Sequence, residues 1–161
     1  MPNWCYNSIT ISHKDPAMIE RFKKAAESGI LQEFIPCPQE LLEGDGWYNW
    51  CVENWGTKWD VTCEDVMVRE DTLSTTFNSA WSPPIEAYNK LQELGFVIDA
   101  YYSESGMAFA GRYVDGDEEY LEYDFSNENW RETMSDELAD FLESDYESWQ
   151  MWQEDEEKEQ A

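Results

Sequence analysis

Acidic side chains are the most abundant source of chemistry in the last third of this chain. Residues 115–161 contain 19 Asp and Glu against two Lys and Arg, a net charge of −17. Residues 1–114 contain 17 acids and eight bases, a net charge of −9, so the surplus is concentrated towards the C-terminus. Carboxylates at this density attract cationic surfaces and repel phosphate backbones and anionic lipid. The composition therefore favours a basic protein partner and argues against direct binding of nucleic acid or of a membrane.

Two sequence elements hold the carboxylates that we expect to bind this partner. Asp115-Gly116 is typical of a tight hairpin turn, and Ser135 is typical of the start of a helix. The hairpin acids are Asp115, Asp117, Glu118, Glu119, Glu122 and Asp124. The helix acids are Asp136, Glu137, Asp140, Glu143, Asp145 and Glu147.

Like charges repeat along this predicted helix, and no lysine lies among them to relieve the repulsion. Asp136/Asp140 and Glu143/Glu147 are i,i+4 pairs, each destabilising the helix by roughly 0.2–0.5 kcal/mol. Because no local base offsets this repulsion, we predict that a cationic partner outside the chain does so. The alternative is a solvated acidic face that ends in a frayed tail from Glu154, because acidic tails are common.

No catalytic motif in the chain is complete. Residues 106–112 have the glycine spacing of a P-loop, but Arg112-Tyr113 stands where phosphate binding needs Lys-Ser/Thr. His13 is the only histidine, and no nucleophile–base pair is recognisable. A pair of carboxylates beside tryptophans would suit a glycosidase, and this alternative stays open because sequence cannot position two carboxyl groups. We expect a non-enzymatic protein without a cofactor.

Metal binding has little support in the sequence. Asp115, Asp117 and Glu119 resemble the start of a calcium loop, but Tyr120 stands where an EF-hand needs glycine. The cysteines lie 32, 14 and 12 positions apart without a C-x-x-C pair: Cys5, Cys37, Cys51 and Cys63. This spacing favours reduced, mostly buried thiols over a zinc site. Together with the lack of a recognisable targeting segment or membrane-length apolar run, it predicts a protein of the host cytoplasm.

Residues 53–60 read ENWGTKWD and belong to a cluster of aromatic rings. Around Gly56, a glycine typical of a helix end, lie Trp47, Tyr48, Trp50, Trp55 and Trp59. Such rings could stack on sugars or bases. We favour a packing role, in which they hold residues 30–60 on a sheet and Lys58 pairs with Asp60 or lies over an indole.

The elements that would position these residues follow the order β-α-β-β-α-β. Alternating residue types predict strands over residues 4–12 and 72–81, and residues 61–69 and 96–102 are predicted as further strands. Asp15-Pro16 and Ser82-Pro83 predict the starts of the two intervening helices. This order is that of the ferredoxin-like split βαβ fold, an antiparallel sheet of the α+β class. Residues 30–60 interrupt it with a Trp-rich insertion.

The chain is predicted to divide into a main domain and an acidic addition. Residues 1–114 would form the ferredoxin-like α+β domain, and residues 115–161 would pack a hairpin strand, a helix and a tail on it. The returning strand is expected over residues 120–125, with Leu121 and Phe125 as core residues. Leu138, Phe141 and Leu142 would anchor the helix in the same way. These anchors would hold the neighbouring carboxylates at fixed spacing.

Three segments resemble a known family. They are the opening Met-Pro-Asn-Trp, the block Glu53-Asn54-Trp55-Gly56-Thr57-Lys58-Trp59-Asp60, and Trp81-Ser82-Pro83-Pro84. Over about residues 1–105 the chain is similar to the YubB-type, Api-like family of small phage and plasmid proteins with a ferredoxin-like domain. The resemblance implies a mobile-element origin and the split βαβ fold, and it implies no catalytic residues.

The charge and the resemblance together predict a DNA mimic. A charge of −26 equals that of about 13 base pairs of phosphate, since duplex DNA carries one charge per roughly 1.7 Å. We expect a phage or plasmid protein that inhibits a nucleic-acid-binding enzyme of a host restriction or CRISPR defence. The first alternative is an acidic adaptor or assembly protein for an unrelated basic partner. The second is a carbohydrate-active enzyme that uses the tryptophan cluster.

Overall fold

One antiparallel sheet runs through the part of the chain that the computed structural model describes, residues 2–160. Its six strands are β1 (Trp4–Ser12), β2 (Glu64–Arg69), β3 (Thr72–Ala80), β4 (Val97–Glu104), β5 (Phe109–Val114) and β6 (Asp117–Glu122). They lie in the order β2-β3-β1-β4-β5-β6, and each neighbouring pair is antiparallel. The helices are α1 (Pro16–Ala25), α2 (Ile30–Phe34), α3 (Gln39–Leu42), α4 (Trp47–Trp55), α5 (Ile85–Glu93) and α6 (Asp136–Gln160), and Trp130–Thr133 forms a 3-10 helix.

The first four strands and two of the helices form the split βαβ arrangement. The chain runs β1-α1-β2-β3-α5-β4, with β1 and β3 side by side in the centre of these four strands. The predicted α+β class with a ferredoxin-like antiparallel sheet is confirmed. Residues 30–60 supply the three short helices α2, α3 and α4 between α1 and β2. Strands β5 and β6 continue the same sheet beyond β4, so the acidic hairpin belongs to the sheet.

Strand β1 explains why one face of the sheet is the main core. Every second residue, from Cys5 through Asn7 and Ile9 to Ile11, is at most 3% exposed, because alternate side chains of a strand point to opposite faces. Helices α1 and α5 cover this face with Phe22 and Leu91, which are equally buried. Burial of this apolar surface is the main force that holds these helices on the sheet.

The two helices after strands begin differently. The Asp15 carboxylate accepts a hydrogen bond from the Ala17 amide at 2.9 Å, so the predicted N-cap of α1 is confirmed. The prediction for Ser82 is wrong, because α5 begins at Ile85 after Pro84. A residue before proline is held out of the helical region, so Pro83 cannot start a helix in front of Pro84. The Ser82 hydroxyl donates instead to the Gly56 carbonyl at 2.6 Å.

A second, smaller core lies on the other face of the sheet. Leu138 and Leu142 of α6 are fully buried against Ala110 of β5. The chain between β6 and α6 adds Phe125 and Trp130, whose rings are 5.1 Å apart. Helix α6 is therefore held by apolar side chains along its N-terminal half.

The acidic hairpin has different bounds from those expected. The returning strand is Asp117–Glu122, not residues 120–125. Asp115 and Gly116 both have positive φ, 50° and 90°, and form a two-residue turn, so pairing resumes at once with Asp117 opposite Val114. The chain leaves the sheet after Glu122, and Phe125 packs in the second core instead.

Helix α6 is also longer than expected. It continues to Gln160, whereas the sequence predicts a frayed tail from Glu154. Glu, Gln and Lys are good helix formers, and Glu154 and Lys158 have the i,i+4 spacing that favours a helix, so the acidic end can stay helical. Among residues 2–160, no helix combines the length and the apolar composition that crossing a bilayer requires.

Candidate functional site

The acids of the β5–β6 hairpin are divided between the two faces of the sheet. Asp117 and Glu119 lie opposite Val114 and Arg112, on the face that α6 covers. Glu118 and Glu122 alternate with them and therefore lie on the other face. Asp115 is exposed in the turn. The hairpin does not present its carboxylates as one continuous row.

Three of the predicted hairpin acids already have partners inside the protein. Glu119 accepts hydrogen bonds from the Ser135 amide at 2.9 Å and the Ser135 hydroxyl at 2.7 Å. Glu118 accepts one from the buried Tyr102 hydroxyl at 2.7 Å. Asp124 accepts from both the amide and the hydroxyl of Ser126, which holds the pKa of Asp124 below its usual value. These contacts give Glu118, Glu119 and Asp124 structural roles within the protein.

Ser135 fixes the start of α6, as predicted. Its hydroxyl accepts a hydrogen bond from the Leu138 amide, three residues on, at 3.3 Å, which satisfies one of the amides left free at a helix N-terminus. Because Glu119 binds the same serine, β6 positions the beginning of the acidic helix.

The expected lack of a local partner for the helix acids is wrong. Arg131, in the 3-10 helix before α6, donates to Asp140 at 2.6 Å and also to Glu143. One member of each like-charge pair is therefore neutralised within the protein. All three side chains are at least 42% exposed, and exposed ion pairs of this kind stabilise a protein only slightly. Arg131 lies outside the helix in sequence, so the charge pattern within the helix gives no sign that the chain folds this arginine back onto it.

Six of the twelve predicted acids keep a free, exposed carboxylate. Within residues 2–160 none of the six makes an ion pair or a side-chain hydrogen bond: Asp115, Asp117, Glu122, Asp136, Glu137 and Glu147. The last three lie on α6. The C-terminal part of the same helix adds further exposed acids, Glu154, Asp155, Glu157 and Glu159. Helix α6 is thus the largest continuous acidic element among the described residues.

Asp145 differs from its neighbours because it faces a cleft rather than open solvent. The cleft has a volume of about 550 Å³ and lies between α6 and the segments 105–108 and 123–125. It is lined by Ser105, Ala108, Tyr123, Asp124, Phe125, Asp145, Ser148, Trp149 and Trp152. The Asp145 carboxylate accepts a hydrogen bond from the Ser103 hydroxyl at 3.2 Å. Burial raises the pKa of Asp145, and this hydrogen bond offsets only part of the effect.

Sequence reasoning included Asp145 but missed the cleft. Asp145, Trp149 and Trp152 are spaced i, i+4 and i+7, which places them on one side of a helix. This spacing is a signal that could have joined them. The opposite walls, Tyr123 and Ser105, come from segments whose position depends on the β5–β6 hairpin, and no local pattern predicts that contact.

Trp55 of the aromatic block ENWGTKWD packs in the main core, whereas Trp59 is 40% exposed. Trp55 is 3% exposed, and its indole N–H donates to the Ile35 carbonyl at 2.8 Å. Gly56 has φ 85° and ends α4 in the left-handed region, as predicted. The Asp60 carboxylate accepts hydrogen bonds from the amides at the start of α2, and Lys58 lies 4.0 Å from the Trp59 ring centroid. A buried Trp55 has no face left for stacking on a ligand.

The cysteines lie in or beside the main core. Cys5, Cys37 and Cys51 are buried, Cys63 is half-buried, and none forms a disulfide. Burial raises the pKa of both Cys5 and Cys63 to about 12, so these thiols are protonated at neutral pH. Among residues 2–160, no three His, Cys, Asp or Glu side chains are grouped so that they could hold a metal ion.

The fold and the site define an α+β protein with a ferredoxin-like sheet and an anchored acidic helix. No family model matches the chain, and no curated protein matches it. Among solved structures it is similar to the crystal structure of a protein api92 from Yersinia pseudotuberculosis, described with the family model DUF1281. That similarity has 21% sequence identity and a TM-score of 0.43, over 58% of this chain and 39% of the other. The match spans well under two thirds of that protein and carries no information about function, so the resemblance to the YubB-type family stays a prediction.

Proposed function

We propose that this protein is a non-enzymatic DNA mimic of a phage or plasmid, which inhibits a nucleic-acid-binding enzyme of a host restriction or CRISPR defence. The observation that carries the proposal is the set of free, exposed carboxylates on α6, a helix anchored in its own core. These carboxylates take the place of phosphates against lysine and arginine side chains of the target. The mobile-element origin rests on the family resemblance.

Fixed spacing is the first support for mimicry. Leu138, Ala139 and Leu142 are fully buried, so the first two turns of α6 cannot rotate without exposing them. Asp136 and Glu137 lie within these turns on the exposed side. Acids on an ordered helix lose no backbone conformational entropy on binding, whereas a disordered acidic tail does.

The length and charge of α6 are the second support. Its 25 residues include eleven acids and one lysine, over a length of roughly 37 Å at 1.5 Å per residue. Duplex DNA of that length carries about 22 phosphates. A protein bound to one side of a duplex faces only part of them. Arg131 pairs with two of the eleven acids of α6, and the other nine are comparable in number to the phosphates of one binding face.

The test compares two variants with the same change of net charge. The first neutralises the free acids of α6 by Asp136→Asn, Glu137→Gln and Glu147→Gln. The control neutralises three exposed acids elsewhere, Glu20, Glu27 and Glu53, by Gln substitutions. Within residues 2–160 each control acid lacks an ion pair and a side-chain hydrogen bond. Glu20 lies on α1 and Glu53 on α4, and both helices pack in the core on the other face of the sheet. Wild type and both variants would be used to capture proteins from host lysate, with duplex DNA as competitor.

The proposal predicts capture of a nuclease or CRISPR effector by the wild-type protein, with displacement by duplex DNA. The α6 variant should lose this capture at about 0.15 M salt, because each removed carboxylate removes an attraction that salt screens. The control variant should keep it. Capture of metabolic enzymes alone, or equal loss in both variants, would contradict the proposal. A basic partner that DNA does not displace would favour the adaptor alternative.

A further inference from the structure

The cleft beside Asp145 combines aromatic walls with carboxylates. Trp152 is 56% exposed at its mouth. Trp149 is half-buried and fixed by Phe125, at 6.1 Å between ring centroids, and by Tyr146, on which it stacks. An indole held on one side and open on the other offers a face to a flat or cationic group.

The opposite wall of the cleft is also fixed. Glu104 is 2% exposed and accepts hydrogen bonds from the Gly106 amide at 2.6 Å and the Met107 amide at 2.9 Å. These bonds hold the turn that carries Ser105 and Ala108 into the cleft. The cleft is therefore formed before any ligand binds, which reduces the entropy lost on binding.

Asp145 lies in this cleft without a cationic partner. The ion pairs within residues 2–160 involve Arg21, Arg112 and Arg131 and leave Asp145 out. Its one side-chain hydrogen bond, from Ser103, is long at 3.2 Å. An ionised carboxylate that is withdrawn from water without a strong partner has an unfavourable free energy. Binding of a cation beside Asp145 would lower that free energy. The raised pKa of Asp145 agrees with this account.

We infer that this cleft binds an arginine side chain of the partner protein, with the guanidinium on the Asp145 carboxylate and against the indoles of Trp149 and Trp152. This inference rests on the proposed function and names the chemistry by which the acidic helix recognises its partner. Asp124 at the rim adds a second negative charge.

Arginine fits the cleft better than other ligands. Its guanidinium is planar, stacks on aromatic faces and donates two parallel hydrogen bonds to a carboxylate. The lysine ammonium is a strongly hydrated point charge that cannot stack. A neutral sugar could stack on Trp152 but would leave the Asp145 charge uncompensated. An anion is repelled by a protein with a net charge of −26.

The direct test is an NMR titration of the full ¹⁵N-labelled protein with the peptide Ac-Gly-Arg-Gly-NH₂. The indole N–H signals of Trp149 and Trp152 report on the cleft, and Trp149→Phe and Trp152→Phe variants assign them. We expect saturable shifts of both signals with a Kd on the order of 1 mM, as for a small fragment. The same peptide with citrulline, the uncharged isostere of arginine, should not saturate the site, and the lysine peptide should bind several-fold more weakly.

Matched variants separate the cleft from the general field of the protein. Asp145→Asn and Glu147→Gln remove the same charge two residues apart on α6, but Glu147 is exposed and outside the cleft. Asp145→Asn should weaken the arginine peptide about tenfold or more, as expected for a lost charge-assisted bond. Glu147→Gln should weaken it less than about twofold.

Three results would overturn the inference. They are equal weakening by the two variants, equal binding of the citrulline peptide, and saturation of the cleft by a neutral oligosaccharide such as cellohexaose without binding of the arginine peptide.

Failure of the arginine-site inference is distinguishable from failure of the proposed function. If α6 neutralisation abolishes target capture but Asp145→Asn does no more than Glu147→Gln, the cleft is not the anchor and mimicry stands. If Asp145→Asn abolishes peptide binding but DNA does not displace the captured partner, the arginine site stands and mimicry is wrong.

Discussion

Replacing Trp55 by alanine tests whether the aromatic block ENWGTKWD is a structural element. Trp55 is 3% exposed, packs edge-on against Trp50 at 5.7 Å between ring centroids, and donates its indole N–H to the Ile35 carbonyl. Large-to-small substitutions of a buried tryptophan lower the free energy of unfolding by about 3–5 kcal/mol. The Ile35 carbonyl would also lose its partner, worth about 1 kcal/mol, so we expect the upper part of this range.

The assay is urea unfolding followed by circular dichroism at 222 nm, with thermal unfolding in parallel. For a protein of this size, 1 kcal/mol corresponds to roughly 2–4 °C in Tm, so Trp55→Ala should lower Tm by about 6–20 °C. The matched control is Trp152→Ala, since Trp152 is 56% exposed. The control should change the unfolding free energy by no more than about 0.5 kcal/mol, as for other surface substitutions.

The two substitutions should also separate stability from binding. Trp55→Ala should keep peptide binding at temperatures where the variant is folded, and Trp152→Ala should weaken that binding while keeping stability. A Trp55→Ala protein with unchanged Tm that no longer binds its partner would refute the packing account. The aromatic block would then be a binding surface, as the stacking interpretation of the sequence holds.

The remaining predictions concern Asp145, Gly56 and metal. Burial raises the pKa of Asp145 above its unfolded value, so the group favours folding when protonated, and this stabilisation is lost as pH rises through the folded pKa. Asp145→Asn should therefore raise the unfolding free energy at pH 7 and lose that gain at pH 3; the reverse pH dependence would contradict the assignment. Gly56→Ala forces a side chain into a left-handed φ of 85°, 3.0 Å from the Ile85 amide nitrogen, and should lower the unfolding free energy by about 1–2 kcal/mol. Gly44→Ala, where the added Cβ would lie at an ordinary contact distance of 3.5 Å from the Glu40 carbonyl oxygen, should change it by less than about 0.5 kcal/mol. Chelator should leave the melting curve unchanged; stoichiometric zinc whose removal unfolds the protein would show that the thiols hold a metal.

Local chemistry is the part of the fold that could be predicted from sequence. Asp15 caps α1 through its own side chain, and Asp115-Gly116 makes a two-residue turn, because both depend on neighbouring residues only. Ser82 is also a residue type that commonly caps helices, and like Asp15 it stands before a proline. The two consecutive prolines that follow it nevertheless move the start of the helix to Ile85. The hydroxyl then binds Gly56, a contact over 26 positions that no local pattern contains.

The candidate site was only partly predictable for the same reason. The acids of α6 could be named because helical spacing places them, but the role of each depends on distant partners. Glu119 holds the start of α6 through Ser135, and Arg131 neutralises two helix acids from a separate turn. Asp145 lines a cleft only because the fold places the segment around Tyr123 opposite it.

The most direct test of mimicry is a competition measurement on the captured host enzyme. Its affinity for a fluorescent duplex of about 20 base pairs would be measured with increasing wild-type protein at several salt concentrations. The account predicts full displacement of DNA by the wild-type protein. It predicts at least tenfold weaker displacement, with a shallower salt dependence, for the Asp136→Asn, Glu137→Gln, Glu147→Gln variant. A ternary complex of enzyme, DNA and this protein, or a variant that displaces DNA as well as wild type at low salt, would contradict it.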